Sequence, residues 1–253
     1  MTPAPDHPSA SGVGIQVRGL RKSFGDQEVL RGLDFEVRPG EIFVLMGTSG
    51  SGKSVLLKQI IGLDTPDAGE ILINGESIQS DGVMNRYRMA MVFQSGALLN
   101  SLTVGENVGL YLTEHRLKSP AEIERIVAEK LAVVGLTDAI HKSPGELSGG
   151  MKKRAAIARA LVIEPQLILY DEPTSELDPL SAVVIGEEIL KLNQRTHVTS
   201  LVVTHDRELA FGVADRIAVI QDGRILTIGK PDEVRACSDP KVRQFLNADF
   251  KRQ

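Results

Sequence analysis

The stretch GTSGSGKS, residues 47–54, constrains the fold more than any other part of this chain. It matches the pattern G-x-x-x-x-G-K-S/T of a phosphate-binding loop. A continuous apolar run, EIFVLMG (41–47), precedes it, and a helical run, KSVLLKQIIGL (53–63), follows it. Glycines let backbone N–H groups converge on phosphate oxygens, and the positive end of the helix dipole attracts the anion. The sequence therefore predicts a nucleotide site between a buried strand and a helix.

Two side chains of this loop have separate predicted roles. Lys53 reaches the β- and γ-phosphates, and the hydroxyl of Ser54 binds Mg²⁺, so ATP and Mg²⁺ are the predicted cofactors. The alternative is an ordinary glycine-rich turn, which the Lys-Ser pair and the strand–helix context argue against. The other predicted nucleotide-binding residues of the segment are Gly47, Thr48, Ser49, Gly50, Ser51, Gly52 and Val55.

A second run, LILYDEP (167–173), ends in adjacent carboxylates. Ligands of open α/β sheets bind at the carboxyl ends of the strands, where Asp171 and Glu172 are expected. We expect Asp171 to hold Mg²⁺ and Glu172 to polarise the attacking water. Adjacent residues of a strand point to opposite faces, so both roles require the chain to turn there. A solvated acidic turn is the alternative for this pair taken alone.

Strand-like and helical runs alternate along the chain, which predicts an α/β fold with a largely parallel sheet. Asn-Gly (74–75) and Asp-Gly (222–223) turns also predict antiparallel hairpins. From Ser101 to about Leu136 the pattern is helical, and a capping box begins at Ser119. The segment from about 95 to 160 is therefore predicted to be a helical subdomain.

Composition limits the remaining possibilities. The net charge of −4 argues against a nucleic-acid partner, and the single cysteine, Cys237, excludes an intramolecular disulfide. No apolar run approaches the roughly 20 residues that span a bilayer. Residues 1–13 lack the features of a signal peptide and are predicted to be a disordered tail. We expect a cytoplasmic protein that works on a membrane only through a partner.

The segment LSGGM (147–151), followed by a basic helix, resembles the signature motif of ABC-type ATPases. The resemblance implies that Ser148, Gly149 and Gly150 face the γ-phosphate of ATP bound to a second subunit. It thus implies a P-loop fold of ABC type and a homodimer with two shared ATP sites. Backbone N–H groups at a helix start bind anionic phosphate, which agrees with this interpretation.

The resemblance extends from about Ile15 to Gly229. It implies that Gln94 contacts Mg²⁺ and the attacking water, that His205 contacts the γ-phosphate, and that Asp178 belongs to the nucleotide-binding loop after the catalytic acid. Phe24 is a candidate for stacking on adenine, although an aromatic residue near a turn more often packs locally. Glu172, His205, Lys53 and Gln94 form the predicted catalytic set, and Ser54, Gln94 and Asp171 the predicted metal set.

Three features resemble one subfamily, the ATPases of bacterial lipid transporters of the Mla or Ttg2 type. They are SGSGKSVLLK, FQSGALLNSLTVGENV (93–108) and LSGGMKKRAAIARAL, with Val55 and Met151 at positions where threonine and glutamine are usual. The resemblance implies phospholipid transport between membranes, at the cytoplasmic face of the inner membrane. Its implied partners are an MlaE-like permease, an MlaD-like MCE protein and an MlaB-like STAS-domain protein. Nothing in the sequence explains Glu176.

Two rival functions stay open: the ATPase of another importer or exporter, and a non-transport ABC assembly ATPase. The predicted ATPase domain covers 14–238, and a helical tail covers 239–253. Asp239 is the expected cap of the tail helix and Pro240 its first residue. The tail packs either on its own domain or on the partner subunit, through a stripe formed by Val242, Phe245, Leu246 and Phe250. The resemblance places Leu98, Leu99 and Leu102 near the groove that receives the permease, and ordinary buried packing is the alternative for each of them.

Overall fold

A computed structural model describes residues 12–247 of the chain. Its strands are β1 (Ile15–Phe24), β2 (Gln27–Val37), β3 (Ile42–Gly47), β4 (Ala68–Ile73), β5 (Glu76–Ser77), β6 (Met89–Val92), β7 (Leu167–Asp171), β8 (Thr199–Thr204), β9 (Arg216–Gln221) and β10 (Arg224–Gly229). Its α-helices are α1 (Lys53–Ile60), α2 (Val83–Arg86), α3 (Val104–Glu114), α4 (Pro120–Val133), α5 (Gly149–Leu161), α6 (Pro179–Thr196), α7 (Arg207–Val213), α8 (Pro231–Arg235) and α9 (Pro240–Leu246).

The central sheet has the strand order β10-β9-β3-β8-β7-β6. Strands β9, β3, β8, β7 and β6 run parallel, and β10 pairs antiparallel at the edge. Strand β3 lies inside the sheet, so the loop that follows it opens at the carboxyl ends of the parallel strands. The predicted α/β fold with a mostly parallel sheet is confirmed.

Strand β3 is apolar throughout because both faces of the sheet are covered. Phe43 and Leu45 pack in one hydrophobic cluster, which joins the sheet to α1 and to the antiparallel strands. Val44 and Met46 point to the opposite face and pack in a second cluster, which includes residues of α3 to α7. All four side chains are fully buried.

A second sheet is antiparallel, with the order β2-β1-β4-β5. Asn74 and Gly75 connect β4 to β5 with positive φ angles of 49° and 84°. Asp222 and Gly223 connect β9 to β10 with φ angles of 50° and 72°. These values fit two-residue hairpin turns, so both predicted hairpins are present.

Helices α3, α4 and α5 lie between β6 and β7 and contact one another. Helix α3 begins at Val104, later than the helical pattern from Ser101, because Thr103 forms a capping box with Glu106. Ser119 and Glu122 form the predicted capping box at the start of α4. The division of the chain into subdomains at about 95 and 160 stays a prediction.

Helix α9 begins as predicted, with the Asp239 carboxylate accepting backbone N–H bonds at its start. Val242 is fully buried in the second cluster, and Phe245 and Leu246 pack against it. Phe250 lies outside the described residues. Within residues 12–247, we found no helix with both the length and the apolar character needed to cross a bilayer.

Candidate nucleotide site

The phosphate-binding loop joins β3 to α1 and depends on glycine at several positions. A Cβ atom at Gly47 would lie 2.3 Å from the backbone oxygen of Ile220, and one at Gly52 would lie 2.5 Å from Leu30 Cδ2. Gly50 and Gly52 also have φ angles of 80° and 98°, which disfavour other residues. Thr48, Ser49 and Gly50 are exposed at the tip of the loop. The loop is therefore a narrow backbone cradle whose rim faces solvent.

Lys53 points back into this cradle and is only 5% exposed. Its ammonium group donates to the backbone oxygens of Gly47 at 2.9 Å and Thr48 at 3.0 Å. It also lies 3.3 Å from Glu172 Oε1. The hydroxyl of Ser51 is buried without a hydrogen-bond partner in the described residues. Since a buried polar group is normally paired, this hydroxyl fits a phosphate oxygen.

Ser54 and Asp171 meet although 117 positions separate them in the chain: Ser54 Oγ donates to Asp171 Oδ1 at 2.8 Å. Burial raises the pKa of the Asp171 carboxyl, the Ser54 hydrogen bond opposes this, and the negative charge of Glu172 raises it further. A divalent cation held by these residues would favour the charged carboxylate. Hydroxyl and carboxylate oxygens are suitable ligands for Mg²⁺, so the residues fit the predicted metal.

Glu172 reaches the same site because the chain turns immediately after β7. Its φ angle is 47°, in the left-handed region, and its N–H donates to the Val203 backbone oxygen at 2.9 Å. Its Oε2 accepts the backbone N–H of His205 at 3.1 Å and lies 2.9 Å from His205 Nδ1. The turn lets Asp171 face the serine hydroxyl while Glu172 faces the lysine and the histidine.

The signature segment forms a second group of residues. Ser148 caps α5, and its Oγ accepts the N–H of Met151 at 3.3 Å. Asp178 caps α6 by accepting the N–H of Ser181, whose side chain lies next to Gly150. Leu177 lies next to Gly149. Among residues 12–247, no hydrogen bond joins Ser148–Gly150 to the phosphate-binding loop of the same chain.

Lys153 lies on α5, the helix that begins in the signature segment, and it bonds to the residues around Glu172. The sequence pattern gave it no role. Its ammonium group donates to the backbone oxygen of Gln94, to the backbone oxygen of Glu172 at 3.2 Å and to Ser175 Oγ at 3.2 Å. The Gln94 residue itself is exposed. The basic cluster after the signature was visible in the sequence, but nothing there showed that one of its lysines is buried.

Phe24 and Val55 are the remaining predicted nucleotide contacts. Phe24 is 52% exposed, and the Lys22 ammonium lies 5.3 Å from the centre of its ring. Val55 is partly buried against the cluster beside α1. Neither position contradicts a nucleotide contact, and the roles of all the predicted site residues stay predictions.

Residues 30–175 match the family model described as ABC transporter. The chain belongs to the ABC transporter family. Structural comparison agrees: a dimeric ATP-binding cassette, MJ0796, in a post-hydrolysis state bound to ADP and phosphate, matches with a TM-score of 0.77. That match is 33% identical and covers 86% of this chain and 98% of the other. This ABC protein is therefore an ATPase with the nucleotide-binding cassette of the family.

Two relatives cover nearly the whole ABC cassette. The probable ribonucleotide transport ATP-binding protein mkl of Mycobacterium leprae is 42% identical over 240 residues, which are 93% of this chain and 69% of the relative. The intermembrane phospholipid transport system ATP-binding protein MlaF of Haemophilus influenzae is 39% identical over 239 residues, which are 93% of this chain and 90% of the relative. The resemblance to MlaF-like ATPases is confirmed.

Proposed function

We propose that this ABC ATPase powers phospholipid transport between the inner and outer membranes of a bacterium. The observation that carries the proposal is the similarity to the phospholipid-transport ATPase MlaF, which extends over 90% of that protein. A second candidate is transport of another cargo, because the similarly close mkl is named a probable ribonucleotide transport ATP-binding protein. A non-transport assembly ATPase is the third candidate.

The chemistry we propose is in-line attack of water on the γ-phosphorus of MgATP. Lys53 and the backbone N–H groups of the loop stabilise phosphate charge, and Ser54, Asp171 and Gln94 hold the metal ion. Glu172 and His205 place and polarise the water. Their mutual contact at 2.9 Å supports this assignment, because a base needs a partner that fixes its orientation.

We further propose a homodimer with two shared ATP sites. Each site would combine residues 47–54 of one chain with Ser148–Gly150 of the other. Asp178 would contribute from the loop that follows Glu172. The exposure of Ser148 and Gly149 at the start of α5 supports this, since free N–H groups at a helix start bind anions. Binding of nucleotide between two chains would couple ATP to dimer closure.

The proposed partners are a membrane permease, an MCE protein and a STAS-domain protein, with the ATPase at the cytoplasmic face of the inner membrane. Leu99 is 46% exposed on the segment after Gln94. Leu98 instead packs against the core, and Asn107 holds the backbone of Leu99 through two hydrogen bonds. An apolar side chain on a fixed loop is suited to receive a permease helix.

Reconstitution tests the cargo directly. The ATPase and the membrane proteins that co-purify with it in mild detergent are placed in vesicles, and transfer of labelled phospholipid and of labelled ribonucleotide is measured with MgATP. We expect transfer of phospholipid only, and none with Glu172→Gln. Transfer of ribonucleotide alone would replace the proposed cargo. Failure to co-purify any membrane protein would favour an assembly ATPase.

A further inference from the structure

Lys153 is a buried cation that no role proposed so far uses. It lies on α5, five residues after Ser148, and is only 5% exposed. Burying an ammonium group is costly unless its N–H donors are paired. The three donors of Lys153 have three acceptors here, so the hydrogen-bonding capacity of the group is fully used.

The acceptors come from three segments that surround the nucleotide site. Gln94 follows β6, Glu172 ends β7, and Ser175 lies in the loop between β7 and α6. Ser175 Oγ also donates to the Glu172 backbone oxygen at 2.9 Å, so Lys153 and Ser175 hold the same carbonyl. Helix α5, which begins in the signature segment, is called the signature helix below. One of its side chains therefore holds the backbone of Glu172, the predicted water-polarising residue, and of Gln94, the predicted metal-contacting residue.

The backbone at Glu172 explains why such a contact matters. A glutamate with a φ angle of 47° is strained, and such a conformation persists only where neighbouring groups enforce it. Val203 holds the Glu172 N–H, while Lys153 and Ser175 hold its carbonyl oxygen. The carboxylate on this backbone contacts both Lys53 and His205.

We propose that Lys153 is a positioning residue for ATP hydrolysis. Its hydrogen bonds hold the backbones of Glu172 and Gln94 against the signature helix and so orient both residues. This inference rests on the roles proposed above for Glu172 and Gln94. Any movement of α5 against the sheet would move the ammonium group relative to both carbonyls. The position of the signature helix would thus be transmitted to the water-polarising carboxylate of the same chain.

The test is the steady-state ATPase activity of the full chain carrying Lys153→Met. We expect kcat to fall about 10- to 100-fold, since a misplacement of roughly 1 Å has effects of that size. KM for MgATP should change less than about threefold, because the phosphate-binding loop is untouched. Lys153→Arg, which keeps the charge and several donors, should recover part of the loss. Lys152→Met is the matched control, because it removes the same charge and the Lys152 side chain makes no hydrogen bond or ion pair within residues 12–247.

A double mutant separates positioning from a merely structural role. If Lys153 acts through Glu172, adding Lys153→Met to Glu172→Gln should lower kcat by less than about twofold more, because effects of residues that act as a unit are not additive. An equal fold loss in both backgrounds, or a rise in KM alone, would overturn the proposal. Should Lys153→Met not fold, Ser175→Ala takes its place, with an expected several-fold loss that must also vanish in the Glu172→Gln background.

These outcomes are independent of the cargo. If the reconstituted wild-type protein hydrolyses ATP normally but transfers no phospholipid, the proposed transport function fails. The role proposed for Lys153 is not affected by that result. Conversely, if Glu172→Gln itself hydrolyses ATP at the normal rate, the assignment of Glu172 fails and the role of Lys153 fails with it.

Discussion

Replacing Glu172 with glutamine should stop turnover while preserving the fold. Glu172 is 9% exposed, and its carboxylate makes contacts through both of its oxygens. A glutamine of the same shape can keep its amide oxygen on the His205 N–H, now at 3.1 Å, but its amino group is a donor and cannot replace the contact with Lys53. Lys53 retains the Gly47 and Thr48 oxygens, so the lost contact leaves no bare buried charge.

The expected size of the effect follows from what glutamine cannot do. An amide does not accept a proton at neutral pH, and a positioned general base contributes roughly 10²- to 10⁴-fold to a rate. That corresponds to about 3 to 5 kcal/mol of transition-state stabilisation. ATP binding should not weaken, because the substitution removes a negative charge 3.3 Å from the lysine that the phosphates need. We therefore expect kcat to fall at least about 100-fold while the Kd for ATP stays equal or falls.

Phosphate release under saturating MgATP measures the first quantity, and calorimetric titration with ATP measures the second. Glu208→Gln is the control, because Glu208 is exposed on α7 and undergoes the same chemical change. Thermal unfolding confirms that both variants fold. Turnover at the wild-type rate by Glu172→Gln would refute the assignment of the base, and a large rise in Kd would refute the geometry argued for Lys53.

Three further outcomes are expected. A heterodimer of Lys53→Ala and Ser148→Arg subunits, purified through two tags, should hydrolyse ATP although neither mutant homodimer does. One of its two shared sites has both an intact phosphate-binding loop and an intact signature segment. Activity no higher than that of the homodimers would count against shared sites. Leu99→Asp should abolish permease co-purification with no change in helicity or unfolding midpoint, since its side chain is exposed; a lower midpoint would place it in the core instead. Val242→Ala should lower the free energy of unfolding by about 2 kcal/mol in urea titrations, because the side chain is fully buried; an unchanged value would mean that α9 is not docked.

Features governed by local rules could be predicted from the sequence. The Asn-Gly and Asp-Gly turns, the capping box at Ser119 and the cap at Asp239 depend on residues within a few positions of one another. The end of α1 also follows a local rule, which the apolar pattern obscured: apolar residues continue to Leu63, but the helix ends at Ile60 and Gly62 has a φ angle of 75°. The glycine stops the helix although the apolar pattern does not change.

The order of the strands and the contacts across the site depend on distant parts of the chain. No spacing rule predicts that β8 lies between β3 and β7, and the meeting of Ser54 with Asp171 was expected only from their predicted roles at one metal ion. The motifs gave the residue types of the site, yet the turn that separates Asp171 from Glu172 needs a left-handed glutamate. Lys153 was missed for a similar reason, since its burial results from three segments that meet only in the folded chain.

The bonds of Lys53 to its own loop have a consequence for the catalytic cycle. Its donors already have partners in Gly47, Thr48 and Glu172, so an incoming phosphate must take the place of existing contacts. Nucleotide affinity then depends on the difference between the bonds of Lys53 to the phosphates and its bonds to the protein. The bonds to the protein compete with the nucleotide. After the γ-phosphate departs, the same contacts can form again and favour release of the products. The contacts of Lys53 within the protein thus favour the return of the loop to its nucleotide-free state.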